Sequence, residues 1–201
     1  WIRSRVDLAK SLQSLLGVTS KTAATNLLAA DQAQTFFADR SDWQRVRLGD
    51  LLEKTEETER SPIQAGFERY LLVEHLDANC LRIQRWGDIS DGNLPPTFYK
   101  VFRKGQILYP TRNPHLRRAA VASFDGICGE KTLTLTVNAQ ADPRFVPWVF
   151  QSEAFITFAT NRKVGSTNPH VRWRDVAEFE FDLPPLDQQR RIAEILWAAD
   201  E

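Results

Sequence analysis

The sequence predicts an α+β fold. A β-rich, mixed α/β centre is preceded by a helical segment and followed by a helix. Three observations carry this. Apolar residues before Trp43 recur at helical spacing. Between Trp43 and Asn138 the apolar runs are short, rich in Val, Ile, Phe, Tyr and Thr, and punctuated by Gly, Pro, Asn and Asp. Helical spacing returns after Pro184-Pro185. With 201 residues, 42% of them hydrophobic, there is chain enough for one core of good size.

Residues 1–42 read as an N-terminal helical segment. Leu8, Leu12, Leu15 and Leu16 share one face, and Gly17 stops it. Thr19 or Ser20 caps a second helix carrying Leu27, Leu28, Phe36 and Phe37. The stretch LLGVTSKTAATNLL also resembles a helix-turn-helix, with Thr22–Leu28 as recognition helix. Gln13 and Ala23 fit that motif poorly, which favours an ordinary helical hairpin. Residues 43–183 form the central domain. WQRVRLGDLLE alternates at Val46 and Leu48, then makes a helical turn. RYLLVEHLD, CLRIQRWG, TFYKVF, GQILYP, AAVASF and KTLTLTVN read as short strands. PWVFQSEAFITFATNRK reads as one helix with Trp148, Phe155 and Phe158 toward a core. VAEFEFDL gives a last short strand. In residues 184–201 a helix begins at Asp187, its expected cap. Ile192, Ile195, Leu196 and Ala199 form its apolar stripe. That stripe packs either on its own domain or on a partner helix. The helix still runs at residue 201, so more helix is expected beyond it.

No apolar run approaches the ~20 residues of a membrane span, and no signal-peptide pattern opens the chain. Trp1 as first residue reads as a fragment or a trimmed chain. Cys80 and Cys128 lack any C-x-x-C partner, which fits a reduced, cytoplasmic protein with buried thiols. Three histidines without a Cys/His cluster offer no structural zinc site, and no metal ligand set is expected. Neither G-x-S-x-G nor a Walker A lysine is present, so nothing calls for a catalyst.

Two stretches test the catalytic alternatives. NPHLR (113–117) and NPHVR (168–172) repeat Asn-Pro-His, an apolar residue and arginine. An adenine methyltransferase needs Asn-Pro-Pro and then an aromatic ring to hold a flipped base; both are missing here. Each copy instead reads as a proline-stiffened turn with an extended asparagine before the proline. FDGICGEKTL offers Asp125 and Glu130 to a metal-dependent nuclease. Glu130 and Lys131 are adjacent, though, and would point to opposite faces of one strand. Turn and hairpin chemistry accounts for Asp125-Gly126 and Gly129 as well.

Net charge is zero, but its distribution is uneven. Residues 81–118 hold eight basic residues (Arg82, Arg85, Lys100, Arg103, Lys104, Arg112, Arg117, Arg118) against Asp88 and Asp91, a balance of +6. Residues 160–176 hold Arg162, Lys163, Arg172 and Arg174 against Asp175, a balance of +3. Residues 177–201 hold seven acids against Arg190 and Arg191, a balance of −5. Such asymmetry suits a one-faced polyanion binder and equally a set of solvated faces.

FDLPPLDQQRRIAEIL (181–196) resembles the end of a target-recognition domain in type I restriction–modification specificity subunits. There a Pro-Pro-Leu turn and a Glu/Gln-Gln-basic-x-Ile-Ala pattern begin a long spacer helix. Gln189 stands at that pattern's glutamine and Gln188 replaces its glutamate. Upstream, WQRVRLGDLLE, FRKGQILYPTRNPHLRRAAVASFDGICG and GSTNPHVRWRDVAEFEFDLPPL are similar to further family segments in the same order. Gln106 takes the place of the aspartate in the family's Lys-Gly-Asp-Ile-Leu region. The resemblance covers residues 43–201.

What the resemblance implies is a non-catalytic reader of double-stranded DNA, acting in the cytoplasm. Its partners would be a methyltransferase subunit, which carries the S-adenosylmethionine chemistry, and a restriction/translocase subunit; no cofactor is expected in this chain. Either a second recognition domain or a second copy would complete it through spacer helices. The expected DNA-binding residues are Lys104, Tyr109, Arg112, Asn113, His115, Arg117, Arg118, Lys163, Ser166, Thr167, Asn168, His170, Arg172 and Arg174. Ile192, Ile195, Leu196 and Ala199 are the partner-helix candidates. The remaining alternatives are the nuclease, using Asp125 and Glu130, and a protein-interaction module built on the last helix.

Overall fold

The computed structural model describes residues 40–165 and 168–200. The N-terminal helical segment lies outside the described residues, apart from a turn at 40–42. In order come β1 (Gln44–Arg47), α1 (Leu48–Leu51), β2 (Leu52–Thr55), β3 (Arg69–Leu71), β4 (Gly87–Asp88), β5 (Phe98–Phe102), β6 (Ile107–Pro110), β7 (Ala120–Val121), β8 (Gly126–Gly129) and β9 (Thr132–Val137). Then follow α2 (Val146–Val149), α3 (Glu153–Asn161), α4 (Trp173–Ala177), β10 (Glu180–Leu183) and α5 (Leu186–Ala199).

Three sheets result. β1 and β10 pair antiparallel, Gln44 opposite Leu183, so the chain leaves the central domain where it entered. A second sheet runs β2-β9-β6-β7 and a third β4-β3-β8-β5, with β3 and β8 parallel. Alternation along the strands explains how they stack. Ile107 and Tyr109 of β6 and Leu133 and Leu135 of β9 face the main core, where Trp148, Phe150, Phe155 and Phe179 pack. Leu108 faces the other way and meets Leu71, Phe102 and Cys128 of the third sheet. The far face of that sheet presents Tyr70, Val101 and Ile127 to a small third cluster. A layer of helices, two sheets and a covering of loops thus share three apolar interfaces. Phe155 is fully buried and meets the rings of Tyr109, Phe150 and Phe179 at 4.9–5.5 Å.

Several expectations change. CLRIQRWG is not a strand except at its last residue, Gly87, which opens β4. Before Gly87 it makes one isolated bridge, Arg82 to Val121, and the Arg82 guanidinium turns to the end of α5, donating to the Trp197 carbonyl at 3.2 Å and pairing with Asp200 at 3.4 Å. The segment expected as one helix is two. Ser152 breaks it and caps α3, its hydroxyl accepting the Phe155 N–H at 3.2 Å. Asp187 is not the cap of α5; the helix starts at Leu186 behind Pro185, and Asp187 lies in its first turn, complementing the helix dipole. β8 and β9 do not form a hairpin. They belong to different sheets, and the Glu130-Lys131 turn carries the chain from one to the other. Gly126, at the opposite end of β8, is required as glycine, since a Cβ would come within 2.6 Å of the Arg69 carbonyl oxygen.

The partner-helix expectation also changes. Ile192, Ile195 and Leu196 are at most 5% exposed. Ile192 and Leu196 belong to the main core. Burial on this domain leaves them no surface for a second helix. Trp197 reinforces the docking, packing edge-on to Trp148 at 5.3 Å and donating to the Arg144 carbonyl at 2.9 Å.

Candidate nucleic-acid interface

Buried Thr111 organises one edge of the molecule. Its N–H and its hydroxyl both donate to the Lys131 carbonyl at 2.9 Å, and its own carbonyl accepts the Val171 N–H at 3.0 Å. One residue on, Arg112 bridges His170, and His170 bridges Val164 through two backbone hydrogen bonds of 2.9 and 3.0 Å. Four segments from three separate parts of the chain therefore lie side by side: 130–131, 111–112, and the neighbouring 163–164 and 170–171. The cause is apolar. Tyr109, Leu133 and Val171 all belong to the main core, so the polar residues beside them emerge at one edge.

The two Asn-Pro-His turns meet at this edge with different backbones. Asn113 is left-handed, φ 52°, not extended as its following proline suggested. Asparagine tolerates that region, and the proline's clash is with the right-handed one. Pro114 is buried and opens a 3-10 turn to Leu116. Arg117, also left-handed, closes it at a cost of about 1–3 kcal/mol. Offsetting contacts are the Asn79 N–H on the Arg117 carbonyl at 3.1 Å, Arg117 Nη1 on the Gln151 carbonyl at 3.3 Å, and the ion pair with Glu153. The second copy follows Gly165, φ 91°, and runs directly into the His170 bridge.

The expected DNA-binding residues separate into groups. Arg112, Asn113 and His115 are exposed at the edge, as is Asn168; Lys163 and His170 are half-buried there. Ser166 and Thr167 lie outside the described residues, and nothing is described of the Ala199 side chain. Tyr109 is 1% exposed, and burial pushes its hydroxyl pKa up; a core ring cannot pack on a sugar, which corrects that expectation. Lys104 is exposed but sits in the β5–β6 turn, at the opposite end of β6, a strand roughly 13 Å long. Arg118 is half-buried and donates to the Val73 carbonyl at 3.2 Å. Arg172 grips Asp175 with Nε at 2.6 Å and Nη2 at 3.1 Å, and that bond holds the carboxyl below its ordinary pKa. Arg174 is exposed, 3.9 Å from the same carboxylate.

The positive runs along the sequence are not a positive face in space. Glu57 and Asp125 take Arg103, Asp77 takes Arg85, Asp200 takes Arg82, Glu153 takes Arg117 and Glu56 takes the buried Lys100 at 3.3 Å. Lys104, Arg112 and Lys163 make no ion pair with another described residue. Lys131, not among the residues the sequence points to as DNA-binding, belongs with Arg112. Its side chain is 50% exposed, 3.7 Å from Glu130. The missed signal is pairing, since Pro110 opposite Thr132 puts the residues flanking those two together.

The nuclease arrangement is not supported. Asp125 accepts the Lys104 N–H at 2.7 Å and Arg103 Nη1 at 2.9 Å, contacts that lower its pKa and close the β5–β6 turn around Gly105, φ 89°. Glu130 lies beyond the other end of β8, roughly 16 Å away by strand rise. Among the described residues no group of three or more His, Cys, Asp or Glu gathers to hold a metal.

The motif glutamines have structural duties. Gln189, 1% exposed, donates from Nε2 to the Pro184 carbonyl at 2.7 Å and accepts the Asp142 N–H on Oε1 at 2.8 Å. Gln188 accepts the Trp43 indole N–H at 3.0 Å. Gln106 is buried and donates to the Thr55 and Thr136 hydroxyls at 3.1 and 3.2 Å, while its Oε1 accepts the Arg103 N–H at 2.8 Å. Gln189 thus ties the Pro-Pro turn and the start of α5 to the loop before α2.

The family model for the type I restriction modification DNA specificity domain matches residues 40–201. The specificity subunit of the type I restriction enzyme EcoDI from Escherichia coli is 23% identical over 163 residues, covering 79% of this chain and 35% of that protein. The crystal structure of the HsdS subunit from Thermoanaerobacter tengcongensis aligns with a TM-score of 0.64 at 29% identity, over 78% of this chain and 42% of that one. A structure from work on complex assembly and conformational transition of the type I R-M system aligns with the same TM-score at 26% identity, over 76% and 41%. The chain spans about a third of the length of the E. coli protein and about two fifths of each solved chain.

Proposed function

The chain belongs to the family of type I restriction modification DNA specificity domains, and from that premise we propose that it reads a short sequence of double-stranded DNA and itself performs no catalysis. One observation carries the reading beyond family membership: the seam at Thr111 sets Arg112, Asn113, Lys131, Lys163, Asn168 and His170 along a single edge. Arg112 and Lys163, which make no ion pair with another described residue, and the half-exposed Lys131 serve phosphates, and short polar groups on fixed turns serve phosphates or base edges. Ser166 and Thr167 complete the list by sequence position.

The proposal extends to partners. The domain directs a methyltransferase subunit, which holds S-adenosylmethionine, and a restriction/translocase subunit to the site it reads. A second recognition domain or a second copy reads the other half. The setting is the cytoplasm; no helix among the described residues is long and apolar enough to cross a membrane. The test is enrichment of a randomised duplex pool on this chain with its methylation subunit. A short consensus supports the reading. Binding without any consensus, or no binding at moderate salt, overturns it.

A further inference from the structure

The proposed DNA edge carries negative charge as well as positive. Carboxylates on the segments that carry these cations or their neighbours are not alike. Glu153 is held by Arg117. Asp175 is gripped by Arg172 through two nitrogens. Among the described residues Glu130 has only its neighbour Lys131, at 3.7 Å, beyond hydrogen-bond reach, and its side chain is 65% exposed. The turn that bears it is fixed at its far end by the two hydrogen bonds from Thr111 to the Lys131 carbonyl. Glu130 therefore accepts no hydrogen bond from another described residue, and its weak, exposed pairing with Lys131 leaves its oxygens available, one residue from the seam that presents Arg112.

Such a group suits only one part of DNA. An ionised carboxylate has acceptor oxygens and no donor, so phosphates and guanine's major-groove acceptors repel it. The exocyclic amines are what it can take, cytosine N4 above all. Resting on the recognition reading above, we propose that Glu130 is a specificity-determining residue. It accepts a hydrogen bond from a cytosine amino group in the major groove, while the adjacent Lys131 neutralises a phosphate. The residues that made Glu130-Lys131 look like half of a nuclease motif would then be one base reader and one backbone contact.

The test compares enriched sites for wild type, Glu130→Ala, Glu130→Gln and Lys131→Ala, each with the methylation subunit. The substituted turn is exposed, and circular dichroism checks folding. Glu130→Ala is expected to erase the preference at one base pair, by about 5- to 150-fold, the range of one good base contact. The salt dependence of binding should stay unchanged. Glu130→Gln should move the preference at that position toward adenine, whose N6 and N7 match an amide. Lys131→Ala should instead weaken all sites alike and lower the log–log salt slope by roughly 0.9. An unchanged consensus in Glu130→Ala, with binding to every sequence tightened, overturns the inference and leaves recognition standing. A wild-type chain that enriches no consensus overturns the recognition reading, and this inference with it.

Discussion

Replacing Gln189 by leucine keeps the side chain's bulk and removes its polar atoms. Two hydrogen bonds vanish, to the Pro184 carbonyl at 2.7 Å and from the Asp142 N–H at 2.8 Å. Each is worth about 0.5–1.5 kcal/mol net, and a buried group left without a partner costs about 1–3 kcal/mol. Pro184 is buried, so its carbonyl bears that cost in full; Asp142 is half-buried, and water relieves part of its loss. The sum is about 2–4 kcal/mol of stability, or roughly 5–15 °C in melting temperature for a domain of this size. Urea unfolding of Gln189→Leu against wild type measures it. Gln188→Leu is the control. It is half-buried and loses only the Trp43 indole bond, so its cost should stay below about 1 kcal/mol. A Gln189→Leu variant within about 0.5 kcal/mol of wild type would show that the glutamine does not tie α5 to the domain.

Four further outcomes are expected. Arg112→Ala with Lys163→Ala should reduce the log–log salt slope of DNA binding by roughly 1.8, at 0.9 per phosphate contact, with little change in stability. Arg117→Ala should do the reverse, because its guanidinium holds the 3-10 turn through Gln151 and Glu153; equal slopes in the two variants would refute the division. Tyr109→Phe should unfold at the same or higher urea concentration than wild type, since the buried hydroxyl has no partner among the described residues; marked destabilisation would reveal one. Asp175 has its folded-state pKa lowered by Arg172, so its contribution is full above the ordinary carboxylate value near ~3.9 and is lost as pH falls through the lowered one. Urea midpoints between pH 5 and pH 2 should therefore fall less steeply for Asp175→Asn than for wild type.

What could be read from the residues was whatever rests on local pattern. TFYKVF, GQILYP and KTLTLTVN are short runs rich in β-branched and aromatic residues, and each contains a strand; the alternation at Val46 and Leu48 marked β1, although the strand stops at Arg47 and Leu48 opens α1. The ordered segments ending in FDLPPLDQQRRIAEIL carried the family. Helix breaks were harder. Ser152 inside an apolar helical run looks tolerable by periodicity, yet its hydroxyl ends one helix and caps the next.

The candidate interface depended on long-range partners. The seam joins residues 111, 131, 164 and 170–171, whose shared edge follows from Tyr109, Leu133 and Val171 meeting in one core. Charge changed for the same reason. A run of eight basic residues between 81 and 118 promised a positive face, but most are matched by carboxylates that arrive from elsewhere in the chain, such as Glu56, Glu57, Glu153 and Asp200. Ile192, Ile195 and Leu196 show the limit most directly. An apolar stripe says that a helix face will be buried, and the hydrophobic effect has no direction of its own. Packing against Trp148 and its neighbours, set by the whole fold, is what turned that face toward this domain.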